Sequence, residues 1–389
     1  MTTFKPPSAT SLSVPFPLGL SRSWQRVQAA LHAHRPVAAA ALDVAGLAVY
    51  HHCAHASFAQ AADARRTREL LGQLIPASEQ LLLDNAWDPQ QFEQACALAW
   101  LQSRHAAGSA GTDMTTLLAG LDRLLEQQAY LLLEQTDSSS RRGFMHVLRY
   151  LSLRLPTASA AQSLRLLLLE HPTPQPQPAI EPWLLGLPDG LAGELLLRLR
   201  LRRQGLRDEA LPHHLRAGIA HLLAARRDVD FSQNVFSVFP YQIAGSTTEA
   251  LFSAALTWGR GDLHQALVLY EAHELLHDDE LAKIAELVGL NTLLRTTSLA
   301  TEVASSRFYQ GAAGVAHLYR RLYQVSGQAA YQQGYHFWLS QTQQWVHQEL
   351  DLTAAVPRAG ELLHGMAGVG LVLLAATTTT DFGWDTIIL

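Results

Sequence analysis

The segment RFYQGAAGVAHLYRRLY, Arg307–Tyr323, decides the fold. A polar turn leads into a glycine pair, Gly311 and Gly314, and then into apolar residues at Val315, Leu318, Tyr319 and Leu322. That spacing is one face of a helix. Glycine at a helix start serves where the backbone turns sharply, or where another segment comes too close for a Cβ. The pattern returns as LLHGMAGVGLVLL (Leu362–Leu374) and earlier as GLPDGLAGELLLRL (Gly186–Leu199). Three such openings mark a repeat protein whose working surface lies where these helices begin.

Apolar residues make up 48% of the chain and charged residues 16%, a balance that supports a large buried helical core and excludes a disordered chain. Leu and Ala dominate while Val/Ile/Thr runs are scarce, so helix is favoured nearly throughout. Formal net charge is −5, and the basic run LRLRLRRQGLR (Leu197–Arg207) has the spacing of an amphipathic helix face. Nucleic acid is not an expected partner. Cys53 and Cys96 both sit among apolar neighbours and read as buried small hydrophobes, too few for a disulfide framework. The opening MTTFKPPSATSLSVPFP lacks the apolar core of a signal peptide, and Met366–Ala376 is too short to span a bilayer. A cytoplasmic protein without a transmembrane segment is expected.

Residues 1–17 carry four prolines and no periodicity, and read as a flexible N-terminal arm. Residues 18–389 read as one domain. Helical pattern starts at Ser23, where the serine can cap a first turn. Helical hairpins then follow at roughly fifty-residue intervals, each pairing an apolar helix with a more charged one. The connector Pro172–Pro182, with five prolines, interrupts them as a stiff extended linker. VDFSQNVFSVFPYQIAG has strand-like character. Seven openings can be counted, and the terminal ones, Ala38–Val49 and Gly365–Leu374, are as apolar as the rest. A linear solenoid carries polar caps, so the expectation is a closed ring. The fold class is all-α: an α/α-toroid, seven inner helices with glycine-rich N-termini inside seven outer ones.

The order and content of these turns resemble the lanthionine synthetase C-like family, the cyclases that close thioether rings in lanthipeptides. GLPDGLAG is similar to the family's G-L-A-H-G-x-A-G, and LTWGRGDLHQALVLYEA to its S-W-C-Y-G-D-x-G-x-A-L. RFYQGAAGVAHLYRRLY resembles L-C-H-G-x-A-G-x-A-x-x-Y-x-R-L-Y, and ELLHGMAGVGLVLLAA with the closing WDTIIL resembles L-L-E-G-x-A-G-x-x-L-x-L-L and W-D-x-x-L-L. The first 180 residues match only as hairpins of the right spacing.

The resemblance implies a zinc ion held by two cysteines and one histidine, but those positions fall on Gly259, Tyr309 and Gln310. Glycine has no donor, a phenol has a pKa near ~10, and an amide carbonyl is a poor zinc ligand. Zinc is expected to be absent, and no other cofactor is implied. The family's candidate acid/base histidine falls on Asp189, the tyrosine beside the first zinc cysteine on Arg260, and the third-turn aspartate near Ser139. Three histidines near turns, His146, His264 and His364, could bind metal in principle, but the plainer reading of His146 and His264 is packed or solvent-facing side chains. HELLH (His273–His277) has two histidines on one helix face without the rest of a zinc motif, and reads as surface.

Residues just before the inner-helix glycines are expected to ring a cavity: Arg142, Asp189, Arg260, Gln310 and His364, with Tyr309 alongside. Free helix N-termini would add unpaired N–H groups there and favour an anionic group. Alternatively, Asp189 pairs with Arg260 or caps its own helix. Two functions follow. The first is a zinc-free pseudo-cyclase that binds a precursor peptide, the cavity lined by Arg142, His146, Asp189, Arg260, His264, Tyr309, Gln310 and His364, beside a dehydratase or another tailoring enzyme. The second is a metal-independent peptide-modifying enzyme using Asp189, His364 and Arg260. A zinc-dependent cyclase with ligands elsewhere is disfavoured, since no cysteine follows Cys96.

Overall fold

Two kinds of helix alternate along the chain. The computed structural model describes residues 19–36, 41–84, 89–104, 112–135, 137–155, 157–170, 183–206, 209–243, 249–352 and 358–389. Among the described residues there are fifteen α-helices: α1 (Leu20–Ala33), α2 (Ala41–Phe58), α3 (Ala61–Asp84), α4 (Pro89–Arg104), α5 (Thr112–Leu133), α6 (Ser138–Leu153), α7 (Ala158–Glu170), α8 (Leu191–Arg203), α9 (Leu211–Ala224), α10 (Asp262–Leu276), α11 (Asp279–Thr292), α12 (Ser298–Thr301), α13 (Ala312–Ser326), α14 (Ala329–Leu352) and α15 (Met366–Thr378). The expected arm at residues 1–17 and connector at Pro172–Pro182 lie outside the described residues.

Helices α2, α4, α6, α8, α10, α13 and α15 pack each on the next, and α15 packs on α2. The ring is closed. Inner helices are buried on every side: all of Asp262–Ala272 in α10 and Met366–Ala376 in α15 are buried. Outer helices bury one stripe only, such as Leu211, Leu215, Gly218, Ile219 and Leu222 of α9, the helical period expected of a surface helix. Helices α3, α5, α7, α9, α11 and α14 each back the inner helix before them. The seventh outer helix is α1, which lies against α15 and α14. The α/α-toroid is therefore completed by joining the two ends of the chain.

That seam is built at backbone contact distance. A Cβ on Gly46 would collide with the carbonyl oxygen of Gly360, and one on Gly360 with the carbonyl of Asp43. Only paired glycines let α2 approach the last turn this closely. Asp43 holds the seam, accepting from Gly360 N (2.5 Å) through Oδ1 and meeting His34 Nε2 (2.5 Å) through Oδ2.

A three-stranded antiparallel sheet, β1 (Trp183–Leu184), β2 (Gln242–Ile243) and β3 (Ala250–Leu251), gathers the strand-like loop, with Trp183 opposite Ile243 and Gln242 opposite Leu251. The C-terminal 3-10 turn Trp384–Ile387 packs on α4 and α6. Trp100 Nε1 donates to Gly383 O (3.1 Å), and the Trp384 ring lies 5.0 Å from Phe308 and 5.6 Å from His317. Nearby, Arg295 and Asp262 form a fully buried ion pair (3.0 Å). Asp262 also accepts from Val238 N and Phe239 N, and Arg295 donates to the carbonyls of Ala254, Ala255 and Ala300. A buried pair is tolerated when its remaining hydrogen-bonding groups are met in this way.

Three local expectations are corrected. Ser23 does not cap α1; the helix starts after Gly19, and Ser23 is buried, its Oγ 3.1 Å from His347 Nε2. Helix α6 starts at Ser138, capped by Asp137, whose carboxylate accepts from Ser139 N and Ser140 N, so Arg142 lies inside the helix rather than before it. The basic run of α8 does not form an amphipathic face: Leu197, Leu199 and Leu201 are buried, and so is Arg198 between them, paired with Glu194 at 3.0 Å.

Candidate functional site

The turns that open the inner helices are stitched into a collar. Gly259 N donates to Tyr309 O (3.3 Å), and Tyr309 N donates to Leu363 O (2.9 Å). A Cβ on Gly186 would collide with the carbonyl of Gly259. Sequence-distant turns at Gly186, Gly259, Tyr309 and Leu363 thus meet at one end of the ring. This end is the mouth.

Gly259 and Tyr309 are in direct contact there. A Cβ built on Gly259 would lie 2.7 Å from Tyr309 Cζ and 2.9 Å from its Oη. The phenol ring occupies the space that a side chain at position 259 would need. Its other edge meets His364, ring centroids 5.1 Å apart in an edge-to-face arrangement. Burial, reinforced by the charge of Asp189, raises the Tyr309 phenol above its usual pKa, so it stays protonated at neutral pH. Burial together with Arg358 and Arg307 lowers the His364 imidazole.

On the α6 side the mouth holds a histidine–carboxylate pair. His146 Nε2 stands 3.6 Å from Asp189 Oδ1, while its Nδ1 accepts from Arg149 Nη1 (3.0 Å). An arginine can only donate, so the tautomer is fixed: the Nε2 proton faces Asp189. Phe92 stacks on the imidazole, centroids 5.6 Å apart. Burial and then Arg149 push the His146 pKa down to about 4, which leaves a neutral ring. Asp189 Oδ1 is buried and accepts no hydrogen bond.

Asp189 pairs with neither expected partner. Its neighbours are the neutral His146 ring and the Arg149 guanidinium (4.0 Å), not Arg260, and the N-cap of α8 is Gly190 without a side-chain bond. Arg260 is exposed and leans over the Tyr241 ring, 4.8 Å from its centroid. Arg142, Gln310 and His364 are exposed, while His146 and Asp189 are half-buried. His264 lies beneath the collar, against Gly186, rather than on the rim. It is fully buried, with Nε2 3.3 Å from Thr257 O, and burial takes its pKa to about 4.

The free N–H groups expected at the helix starts are not free. Ala192 N donates to Leu185 O, Ala312 N to Ser305 O, Ala313 N to Ser306 O and Met366 N to Ala359 O, each seven residues upstream. The opening turns consume the amides that an anion would need.

Three residues here were not singled out from the sequence: Arg149, Glu93 and Glu361. The i, i+3 spacing of His146 and Arg149 on one helix was a usable signal. Glu93, next to Phe92, is pushed up to about 7 by burial and by Glu361, against the opposing pull of Arg149. Glu361 is buried beside Arg358, with Oε2 unpartnered.

The donor set does not fit zinc. A zinc site needs thiolate, imidazole or carboxylate donors converging on one point. Glycine offers none, Gln310 offers an amide, and the protonated Tyr309 ring fills the space beside Gly259. Cys53 and Cys96 are wholly buried elsewhere, and burial pushes the Cys96 thiol up to about 12. His273 and His277 lie at the end of α10, where His273 Nδ1 is 3.0 Å from Asp278 O. A cavity of about 160 Å³ lined by Leu196, Arg200, Leu267, Glu271, Arg321 and Leu389 shares no residue with the mouth.

A closed double ring with a glycine-turn collar at one end defines the fold class: an α/α-toroid. Among solved structures the chain is similar to one described as nisin cyclase, with TM-score 0.66 and 14% identity, covering 95% of both chains. At that identity the likeness establishes the fold. No protein-family model matches the chain, and no curated protein matches it by sequence. No helix among the described residues is long and apolar enough to cross a membrane.

Proposed function

We propose that this chain is a zinc-free relative of the lanthionine cyclases, a pseudo-cyclase that binds or scaffolds a precursor peptide in the biosynthesis of modified ribosomal peptides. The observation that supports the reading is the Tyr309 ring lying on Gly259, in the space a side chain would need at the position that the resemblance gives to a zinc cysteine. Around it the mouth keeps exposed donors at Arg142, Arg260, Gln310 and His364 and an acceptor at Asp189. Such a rim suits the backbone and carboxylates of an extended peptide. A dehydratase or another tailoring enzyme would act on the peptide held there, in a cytoplasmic assembly.

The test uses a synthetic peptide carrying dehydroalanine and cysteine, labelled for fluorescence anisotropy. Saturable binding, weakened by Arg260→Ala and His364→Ala, with no loss of free thiol, is the expected result. Zinc-dependent consumption of the thiol by the wild-type chain would defeat the reading. One observation favours a second reading, metal-independent peptide modification: Asp189 Oδ1 is unbonded in the mouth, with Glu93 pushed up to about 7 next to the Phe92 that stacks on His146. Thiol consumption without zinc that disappears in Asp189→Asn would select it.

A further inference from the structure

The end of the ring away from the mouth holds a second cluster of polar side chains. His51 of α2 lies two helical turns below Asp43, about 12 Å along the helix. Its Nδ1 is 2.6 Å from Asp63 Oδ1, on the first turn of α3. His32, in the last turn of α1, reaches the same oxygen with Nε2 at 3.1 Å. The three ligating atoms lie within 4.8 Å of one another. His51 and Asp63 have no exposed side-chain surface, whereas the His32 side chain is 32% exposed and gives the cluster a way out to solvent.

As hydrogen bonds alone this arrangement is incomplete. Asp63 Oδ2 and His51 Nε2 are buried and have no partner, and neither does the neighbouring Tyr50 hydroxyl. Buried polar atoms are normally satisfied. No Lys or Arg among the described residues lies within ion-pair distance of Asp63; the nearby Arg66 is engaged by Glu69 (3.2 Å) and by the His34 carbonyl (3.1 Å). A fully buried carboxylate faced only by imidazoles asks for a further positive charge.

We infer that His32, His51 and Asp63 form a binding site for a divalent transition-metal ion, best matched by zinc, which clips the ring-closing helix α1 to the first inner hairpin. Two imidazoles and one carboxylate are a ligand set that zinc takes with a fourth, open position for water. Neighbouring donors around tetrahedral zinc stand ~3.3 Å apart, so the 3.1 Å separation needs almost no change and the 2.6 Å one a small turn of the Asp63 carboxylate. The two imidazole nitrogens, within 4.8 Å of each other, draw together by rotation of the partly exposed His32. The site lies on different helices from the mouth and involves none of Gly259, Tyr309 or Gln310.

The test strips the full chain with chelator, adds zinc chloride, removes the excess and measures bound metal by mass spectrometry. Wild type should retain one zinc per chain and melt at a higher temperature with zinc than without. His32→Ala, at a partly exposed position, and the near-isosteric Asp63→Asn should fold yet bind zinc at least about tenfold more weakly and lose that shift. Cobalt(II) in place of zinc should show no thiolate charge-transfer band. Failure of wild type to retain zinc overturns the proposal, as does retention undiminished in both variants. Zinc kept by His32→Ala but lost by His364→Ala would put the ion in the mouth, which overturns both this site and the pseudo-cyclase reading.

Discussion

Placing a side chain at position 259 measures how firmly the Tyr309 ring excludes one. In Gly259→Cys the new Cβ would lie 2.7 Å from Tyr309 Cζ, where ordinary contact begins at 3.4 Å, an overlap of 3.4 − 2.7 = 0.7 Å. The Gly259 carbonyl already fills the space beside Gly186, where a Cβ would collide with its oxygen, so the backbone has little room to yield. The ring must therefore swing outward, losing its edge-to-face contact with His364 (about 0.5–1.5 kcal/mol). With residual overpacking, the substitution should cost about 1–3 kcal/mol. In a Tyr309→Cys background the obstacle is gone, and Gly259→Cys should cost close to nothing, a coupling of about 1–3 kcal/mol. Adding Gln310→His then supplies two thiolates and an imidazole. Urea unfolding followed by tryptophan fluorescence gives the four stabilities of the cycle, and zinc retention is measured in His32→Ala so that only the mouth is counted. An equal cost for Gly259→Cys in both backgrounds would show that the ring is not what fills the site.

Gly46→Ala should destabilise the ring by about 3 kcal/mol, lowering the melting temperature by ~4 °C for a chain of this length, because its methyl meets the Gly360 carbonyl. Gly72→Ala, in α3 with nothing within 4 Å, should instead stabilise by up to about 1 kcal/mol; calorimetry of the two variants compares them directly. Arg295→Met should cost about 3–5 kcal/mol in urea unfolding, since it leaves Asp262 buried and unpaired. Burial holds His146 and His264 at about 4, below the 6.5 of an unfolded histidine. The native state resists their protonation, so their stabilisation is complete above pH ~6.5 and declines as pH falls toward 4, by up to about 3 kcal/mol for each histidine. Urea midpoints at pH 7 and pH 5 should show this fall, and His264→Gln should make it shallower.

Elements whose cause is local were legible in the sequence. The glycine turns at Gly186, Gly311 and Gly365 and the apolar helices that follow them are local patterns, and they led to a closed ring of seven. The partner of the last inner helix was not legible. Its outer helix is α1, more than three hundred residues away, and nothing in SWQRVQAALHAH states that it belongs to α15. The candidate site divides in the same way. Arg142 was placed before its helix because Gly143 was read as a turn glycine, but the Asp137 cap starts α6 six residues sooner. That longer helix carries His146 and Arg149 to Asp189, which is why Asp189 turned toward α6 and not toward Arg260.

The zinc positions show most clearly what a linear reading leaves out. Read one at a time, Gly259, Tyr309 and Gln310 are three residues without a zinc donor at positions that the resemblance assigns to one. Read in space, the first two are one packing change: removing every side-chain atom at 259 makes the room that a phenol at 309 fills. A cysteine lost to drift alone would leave a hole beside Gly259, and an unfilled hole in a stitched collar is costly. Here the hole is filled, the phenol is protonated, and the turns remain joined through Gly259 N and Tyr309 N. The collar is thus joined by backbone hydrogen bonds and ring packing alone, which is what the scaffold reading proposed above requires of it.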